Sequence, residues 1–322
     1  MQAIRVHQCG GPEALVLDTL PTPVPGPGEA LVRVLAAGVN FIDTYHRSGA
    51  YPLPLPIGIG REGAGIVERL GPGDSPVAEG DRVAWAGAGG SCATEAIIPA
   101  DELVSLPAGL DEDVAAAVML QGLTAHYLTR SSYPLRPGDT CLIHAAAGGV
   151  GQLLCQMAKS AGARVIGTVS TAEKASIARE AGADETIDYT KQDFVEEVRR
   201  LTGDAGVQVV YDGVGKDTFS KGLDCLAPRG YMVLFGGASG PVAPLDPPVL
   251  MHKGSLYLHR PKLGDFVATR DELVTRAAEL FGWVQSGKLR VNIAATFPLS
   301  EAPAAHELLV SRKAAGKILL IP

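Results

Sequence analysis

Thr140-Cys-Leu-Ile-His-Ala-Ala-Ala-Gly-Gly-Val-Gly151 decides the reading of this chain. Thr140 to His144 is a short apolar run of the kind a sheet buries on both faces, and the residues from Val150 to Ala161 follow helical spacing. A glycine-rich turn between a strand and a helix lets the backbone approach a pyrophosphate, whose charge then rests on free N–H groups and the positive end of the helix. Ala145 stands at the first glycine of the GxGxxG pattern, Gly148 and Gly151 keep the other two, and Gly149 and Val150 complete the loop. The plainer alternative is that these glycines serve only close helix–strand packing.

Working outward, the chain alternates. Arg164 to Val169, Val207 to Tyr211 and Tyr231 to Phe235 read as strands, Glu173 to Ala181 and Phe194 to Leu201 as helices. That order implies a parallel sheet covered by helices on both faces. Upstream, to about residue 110, the reading is of short β-like runs (Ala30 to Leu35, Gly65 to Leu70, Arg82 to Ala86, Cys92 to Ile98) separated by Pro/Gly clusters, the punctuation of an antiparallel, barrel-like domain. Asp111-Glu-Asp113 starts a helix, and Gly122 to Arg130 reads as a second one. A helix from Arg270 to Ser286, an apolar stretch from Ala305 to Val310 and a strand from Lys317 to Ile321 follow the sheet.

Composition agrees. With 322 residues and 46% hydrophobic content the chain is too long and too apolar for disorder and suits two domains. Its 28 Lys and Arg against 35 Asp and Glu give a net charge of −7, which disfavours a nucleic-acid binder. The 5 cysteines are odd in number and without CxxC pairing, as in a cytoplasmic protein that keeps its thiols reduced. No run approaches the ~18 apolar residues of a membrane span, and the N-terminus lacks a signal-peptide core.

The second strand of the parallel sheet bears on which dinucleotide is bound. An NAD site offers an acid about 20 residues beyond the glycine loop, for the ribose 2′-OH. Here the strand ends Gly167-Thr-Val-Ser170-Thr171 without one, and Lys174 follows. Hydroxyls and an ammonium suit a 2′-phosphate, so the expected cofactor is NADPH. Lys174 as an ordinary solvated helix lysine is the alternative.

Gly138-Asp139, Leu142, Ala146-Ala147-Gly148-Gly149, Gly151, Gln156 and Lys159 together resemble the quinone oxidoreductase/zeta-crystallin signature of the zinc-free medium-chain dehydrogenase/reductase superfamily. The likeness extends along the chain through Gly10-Gly11-Pro12-Glu13, Gly38 to Tyr45, Gly122-Leu123-Thr124 and Leu319 to Pro322. The resemblance implies an α/β protein with a GroES-like β-rich catalytic domain (1–121 and 262–322) interrupted by a Rossmann-type doubly wound nucleotide-binding domain (122–261). It also implies a homodimer paired through edge strands near Ser255 to His259.

Zinc alcohol dehydrogenases carry a Cys within the segment matching Gly38 to Asp43, a Gly-His-Glu matching Gly60-Arg61-Glu62 and a Cys near Gln121. Asn40, Arg61 and Gln121 replace these ligands; guanidinium offers a metal no lone pair and an amide is a poor zinc ligand, so no metal is expected. Without a Lewis acid an ordinary ketone is hard to reduce, whereas hydride addition to a quinone leaves a delocalised phenolate. Enones and alkenals share part of that advantage and are the alternative substrates. A non-catalytic nucleotide- or RNA-binding role, as in a crystallin-like protein, is the alternative of another class.

By resemblance, Asn40, Tyr45 and Arg260 are candidate donors that position the quinone, none of them assigned as acid or base. Lys174, Tyr189 and Arg312, with Ser170 nearby, are candidate contacts to the adenosine phosphate. Thr124 and Phe235-Gly236 are placed beside the nicotinamide half. Asp43 and Glu62 are expected to make structural hydrogen bonds.

Overall fold

The computed structural model describes all 322 residues. Before the parallel sheet the chain runs β1 (Gln2–Val6), β2 (Leu15–Thr19), β3 (Glu29–Val39), α1 (Phe41–Ser48), β4 (Ile57–Gly58), β5 (Glu62–Leu70), β6 (Arg82–Ala86), β7 (Glu95–Pro99), β8 (Val104–Ser105) and α2 (Glu112–Tyr127). There follow β9 (Thr140–Ile143), α3 (Gly149–Ser160), β10 (Arg164–Val169), α4 (Ala172–Glu180), β11 (Glu185–Asp188), α5 (Phe194–Thr202), β12 (Val207–Asp212), α6 (Phe219–Gly222), β13 (Leu226–Leu234), α7 (Pro248–His252) and β14 (Tyr257–His259). The remainder is α8 (Arg270–Gln285), β15 (Ile293–Pro298), α9 (Ala302–Val310) and β16 (Lys317–Ile321). Two compact units result, Thr124–Asp265 and the combination of Met1–Leu123 with Phe266–Pro322.

The unit Thr124–Asp265 is a six-stranded sheet in the order β11-β10-β9-β12-β13-β14, and every pair is parallel. The first strand lies inside and the chain winds outward on either side of it, so the strand order reverses between β9 and β12. Ligands of such sheets lie at the carboxyl ends beside that reversal. Cys141, Leu142 and Ile143 of β9 are wholly buried, which is why these consecutive positions are all apolar and not only alternate ones. Leu142, Ile166, Ile187, Phe194, Val198, Val210 and Met232 belong to one core cluster of this unit.

In the other unit a seven-stranded sheet runs β15-β16-β3-β5-β6-β8, with β7 also paired to β3. β16 sits between β15, to which it is parallel, and β3, to which it is antiparallel. A smaller sheet of β2, β1 and β4 stands beside it in the same unit. Val32, Trp85, Ile98, Leu103 and Leu320 share one core cluster there.

Two local readings differ from the sequence expectation. Gly122 to Arg130 is no separate helix: α2 continues unbroken through Gly122 to Tyr127 and ends in a π-helical turn, Leu128–Ser132. A Cβ at Gly122 would lie 2.8 Å from Val118 Cγ2 and 3.3 Å from Leu280 Cδ1, so the glycine admits α8 close to α2 and does not interrupt it. The second difference is α1, a helix inside the β-rich region. The Asp43 carboxylate reaches back to accept from the Asn40 N–H at 2.8 Å, which satisfies a donor at the helix start, and Gly49 ends the helix at a left-handed φ of 80°.

Candidate functional site

The glycine loop turns sharply after β9. Gly148 N–H donates to Ala145 O at 2.8 Å, and α3 begins at Gly149 with Gly148 as its extended cap. The N–H groups of a first helical turn have no intrahelical acceptor, so those of Gly149, Val150 and Gly151 are available to an anion. A Cβ on Gly151 would lie 2.3 Å from Ala145 O and 2.8 Å from Ala146 Cα, which fixes glycine there. Ala145 itself is exposed with a φ of 53°, the left-handed region that the first glycine of the pattern usually supplies. This loop, exposed at Ala145 and half-buried at Gly148, Gly149 and Val150, fits a dinucleotide pyrophosphate at a helix start.

Holding an alanine in that region costs about 1–2 kcal/mol, partly offset by the entropy that a glycine would add to the unfolded chain. Ala145→Gly should therefore raise the stability to urea by about 0.5–1 kcal/mol. A lower unfolding midpoint would show that the alanine is unstrained.

Three of the four expected phosphate contacts, Ser170, Lys174 and Tyr189, lie at the carboxyl edge of the parallel sheet. Ser170 follows β10 and Tyr189 follows β11, adjacent strands whose last residues Val169 and Asp188 pair. Lys174 Nζ lies 3.4 Å from Ser170 Oγ, and its own N–H donates to the capping hydroxyl of Thr171 at 3.2 Å. Tyr189 is 47% exposed. The nearby Asp188 is paired with Lys191 at 2.8 Å, and that ammonium together with Thr190 holds its carboxyl down at about 2. Its negative charge is thus already compensated.

Phe235 and Gly236 follow β13 at the same edge. Phe235 N–H donates to Asp212 O at 2.9 Å, and a Cβ on Gly236 would lie 2.6 Å from Gly213 O, so the two strand ends approach closely. Arg260 follows β14, is exposed, and donates from Nη1 to Pro261 O at 3.2 Å. Thr124, buried in α2, opens this unit. Arg312 belongs to the other unit, exposed in the turn after α9 with a φ of 57°.

The unit holding β3 and β16 carries a sealed polar cluster. Asn40, Glu62 and Lys317 are 3%, 0% and 1% exposed. Lys317 Nζ donates to Asn40 Oδ1 at 2.8 Å and closes a short ion pair with Glu62 Oε2. Asn40 Nδ2 donates to Glu62 Oε2 at 2.8 Å and to Gly38 O at 3.2 Å, while Glu62 Oε1 accepts from Leu120 N–H at 2.6 Å. Both Asn40 N–H groups are engaged inside the cluster, whereas the sequence expectation has Asn40 donating to a substrate. Gln121 Nε2 approaches Asn40 Oδ1 at 3.5 Å, and Arg61 donates from Nη1 to Gly87 O at 2.7 Å. Tyr45, half-buried on α1, faces Tyr51 with ring centroids 5.1 Å apart.

Burial pushes the Asp43 carboxyl up to about 7, against the opposing pull of the Asn40 N–H and Lys317. Since the folded chain holds that proton more tightly than the unfolded one, ionising Asp43 weighs against the fold as pH rises from the ordinary carboxylate range through 7. A salt-bridged acid acts in the opposite sense. Sequence reasoning missed Lys317, which reads as a polar strand end, and it missed the placement of Gln121 beside Asn40.

An ammonium thus lies against the carboxylate and amide oxygens, and the neighbouring Asn40, Gln121 and Arg61 side chains are amide, amide and guanidinium. This donor set does not fit zinc.

Residues 26–108 match the alcohol dehydrogenase GroES-like domain, and residues 149–279 match a family described as zinc-binding dehydrogenase. A quinone oxidoreductase of Pseudomonas aeruginosa is 50% identical over 321 residues, which cover 99% of each chain. The solved structure of an Escherichia coli quinone oxidoreductase complexed with NADPH superposes with a TM-score of 0.98 at 46% identity, covering 100% of both chains. A 2-haloacrylate reductase of Burkholderia sp is 44% identical, covering 100% of this chain and 99% of that one.

Proposed function

The chain belongs to the quinone oxidoreductases of the medium-chain dehydrogenase/reductase superfamily, and on that premise we propose that it is an NADPH:quinone oxidoreductase working without zinc. The observation that carries this reading is the Lys317 ammonium bonded to Glu62 and Asn40, in a cluster where a metal-dependent reductase would need open ligands. NADPH supplies the hydride. The acceptor must then be one whose product spreads its own charge, which a quinone does.

The chain's residues bind and orient. The N–H groups of Gly149, Val150 and Gly151 hold the pyrophosphate, with Ala145 and Gly148 shaping the turn. Ser170, Lys174, Tyr189 and Arg312 hold the adenosine phosphate; Thr124, Phe235 and Gly236 flank the nicotinamide. Tyr45 and Arg260 position the quinone. An enone or alkenal is the second acceptor class, favoured by the 44% identity to a 2-haloacrylate reductase.

No helix is long and apolar enough to cross a membrane, and the free cysteines suit a reducing cytoplasm. Two copies pairing along β14 would cover Tyr257 and Leu258, 51% and 40% exposed on that edge strand, so a homodimer is the assembly we propose.

Following NADPH and NADH oxidation with quinones, enones and alcohols tests the reading, and quinone reduction with NADPH preferred is the expected result. Lys174→Ala should weaken NADPH by about 1–3 kcal/mol and leave NADH nearly unchanged. Equal losses for both cofactors would remove the phosphate assignment.

A further inference from the structure

We propose that Gln121 donates the hydrogen bond that holds a quinone oxygen, and that Lys317, acting through Asn40, sets which way the Gln121 amide faces. The inference rests on the quinone reading above. It begins from the two ends of the Asn40 amide, which are not interchangeable here. Oδ1 lies 2.8 Å from the Lys317 ammonium and Nδ2 lies 2.8 Å from the Glu62 carboxylate. Turning the amide over would set an NH2 against an ammonium and a carbonyl oxygen against a carboxylate, in a place sealed from water. Asn40 is therefore locked with its oxygen toward Gln121.

That polarity passes outward. Gln121 meets an acceptor at 3.5 Å and turns its Nε2 inward. One N–H faces Asn40, and the second is unclaimed by any other group. Asn40, Glu62 and Lys317 are sealed, whereas Gln121 is half-buried and so forms the accessible end of the chain of contacts. Glu62 also ties down the helix that carries Gln121, through the Leu120 N–H at 2.6 Å. A neutral donor suits this acceptor, because the charge produced on a quinone is already delocalised. Lys317 is then a positioning residue, and Gln121 a further group that touches substrate.

The test is steady-state reduction of 1,4-benzoquinone by NADPH, with NADPH affinity and thermal stability measured beside it. Gln121→Leu keeps the bulk and removes the donor, so kcat/KM for the quinone should fall about 10- to 100-fold, with NADPH affinity within about twofold of wild type. In Gln121→Glu the loss should be larger at high pH and recover as the new carboxyl protonates, a profile that a packing role would not give. The paired change Glu62→Gln with Lys317→Met removes both charges together and frees the Asn40 amide to turn. Its quinone defect should match that of Gln121→Leu and not add to it when all three changes are combined. A folded Gln121→Leu enzyme with wild-type quinone kinetics, or with its loss confined to NADPH affinity, would overturn the inference. Wild-type protein inert toward benzoquinone would instead overturn the function assigned above.

Discussion

Gly151→Val should raise the dissociation constant for NADPH by about two to four orders of magnitude. A Cβ at Gly151 would meet Ala145 O at 2.3 Å, Ala146 Cα at 2.8 Å and Ala146 C at 2.9 Å. All three are backbone atoms, with no flexible side chain to swing aside. The turn must therefore open, and the N–H groups of the α3 start leave the positions from which they can meet a pyrophosphate. Two lost charge-assisted bonds at about 1.5–3 kcal/mol each amount to about 3–6 kcal/mol, which sets the expected range. Gly282→Ala is the matched control: it lies in α8, where an added Cβ meets nothing within 4 Å. It should leave NADPH binding unchanged and stabilise the helix by about 0.5–1 kcal/mol. Titration by NADPH fluorescence reads both, and wild-type affinity in a folded Gly151→Val protein would remove the loop from the cofactor site.

The other large effect is on stability. Lys317→Met should cost about 3–5 kcal/mol of unfolding free energy, because it strands the fully buried Glu62 carboxylate without a counter-ion. The magnitude reflects breaking the pair more than any net benefit of having it. Replacing both charges, as Glu62→Gln with Lys317→Met, should accordingly recover most of the loss, since buried pairs exchanged for neutral groups of similar volume are often tolerated. Urea unfolding of wild type, the single variant and the pair measures this. A single variant as stable as wild type would mean that water reaches Glu62.

The elements legible in the sequence are those whose signal is local. Arg164–Val169 and Lys317–Ile321 begin and end in the structure where the sequence reading places them, because each is an apolar run closed by turn residues or a polar end. The glycine loop was legible for the same reason, as strand, turn and helix are contiguous there. Gly122 misled because a glycine that admits a neighbouring helix looks, in one dimension, like one that ends its own helix. The helix α1 hid behind the strand β3 that runs directly into it, although Asn40 and Asp43 carry the spacing of a helix start.

The cluster around Glu62 was not legible, because its members lie far apart along the chain. Nothing near Lys317 announces a partner 255 positions away. That Asn40 spends both of its N–H groups internally, on Gly38 O and on Glu62 Oε2, shows only once β3 and β5 are paired.

Synthesis proceeds in one direction, and the seat of β16 between β3 and β15 makes that matter. The unit Thr124–Asp265 is a continuous stretch and can close as soon as it leaves the ribosome, but the sheet around β3 waits for a strand made much later. At about 5–20 residues per second, the 255 positions between Glu62 and Lys317 correspond to roughly 10–50 s. During that interval the Ala37–Val39 end of β3 lacks the strand that covers it in the finished fold, and Glu62 lacks its counter-ion. The arrival of Lys317 then does two things at once, filling the open edge and giving the Glu62 carboxylate its counter-ion, so β16 works as a latch for a domain that was begun first and is completed last.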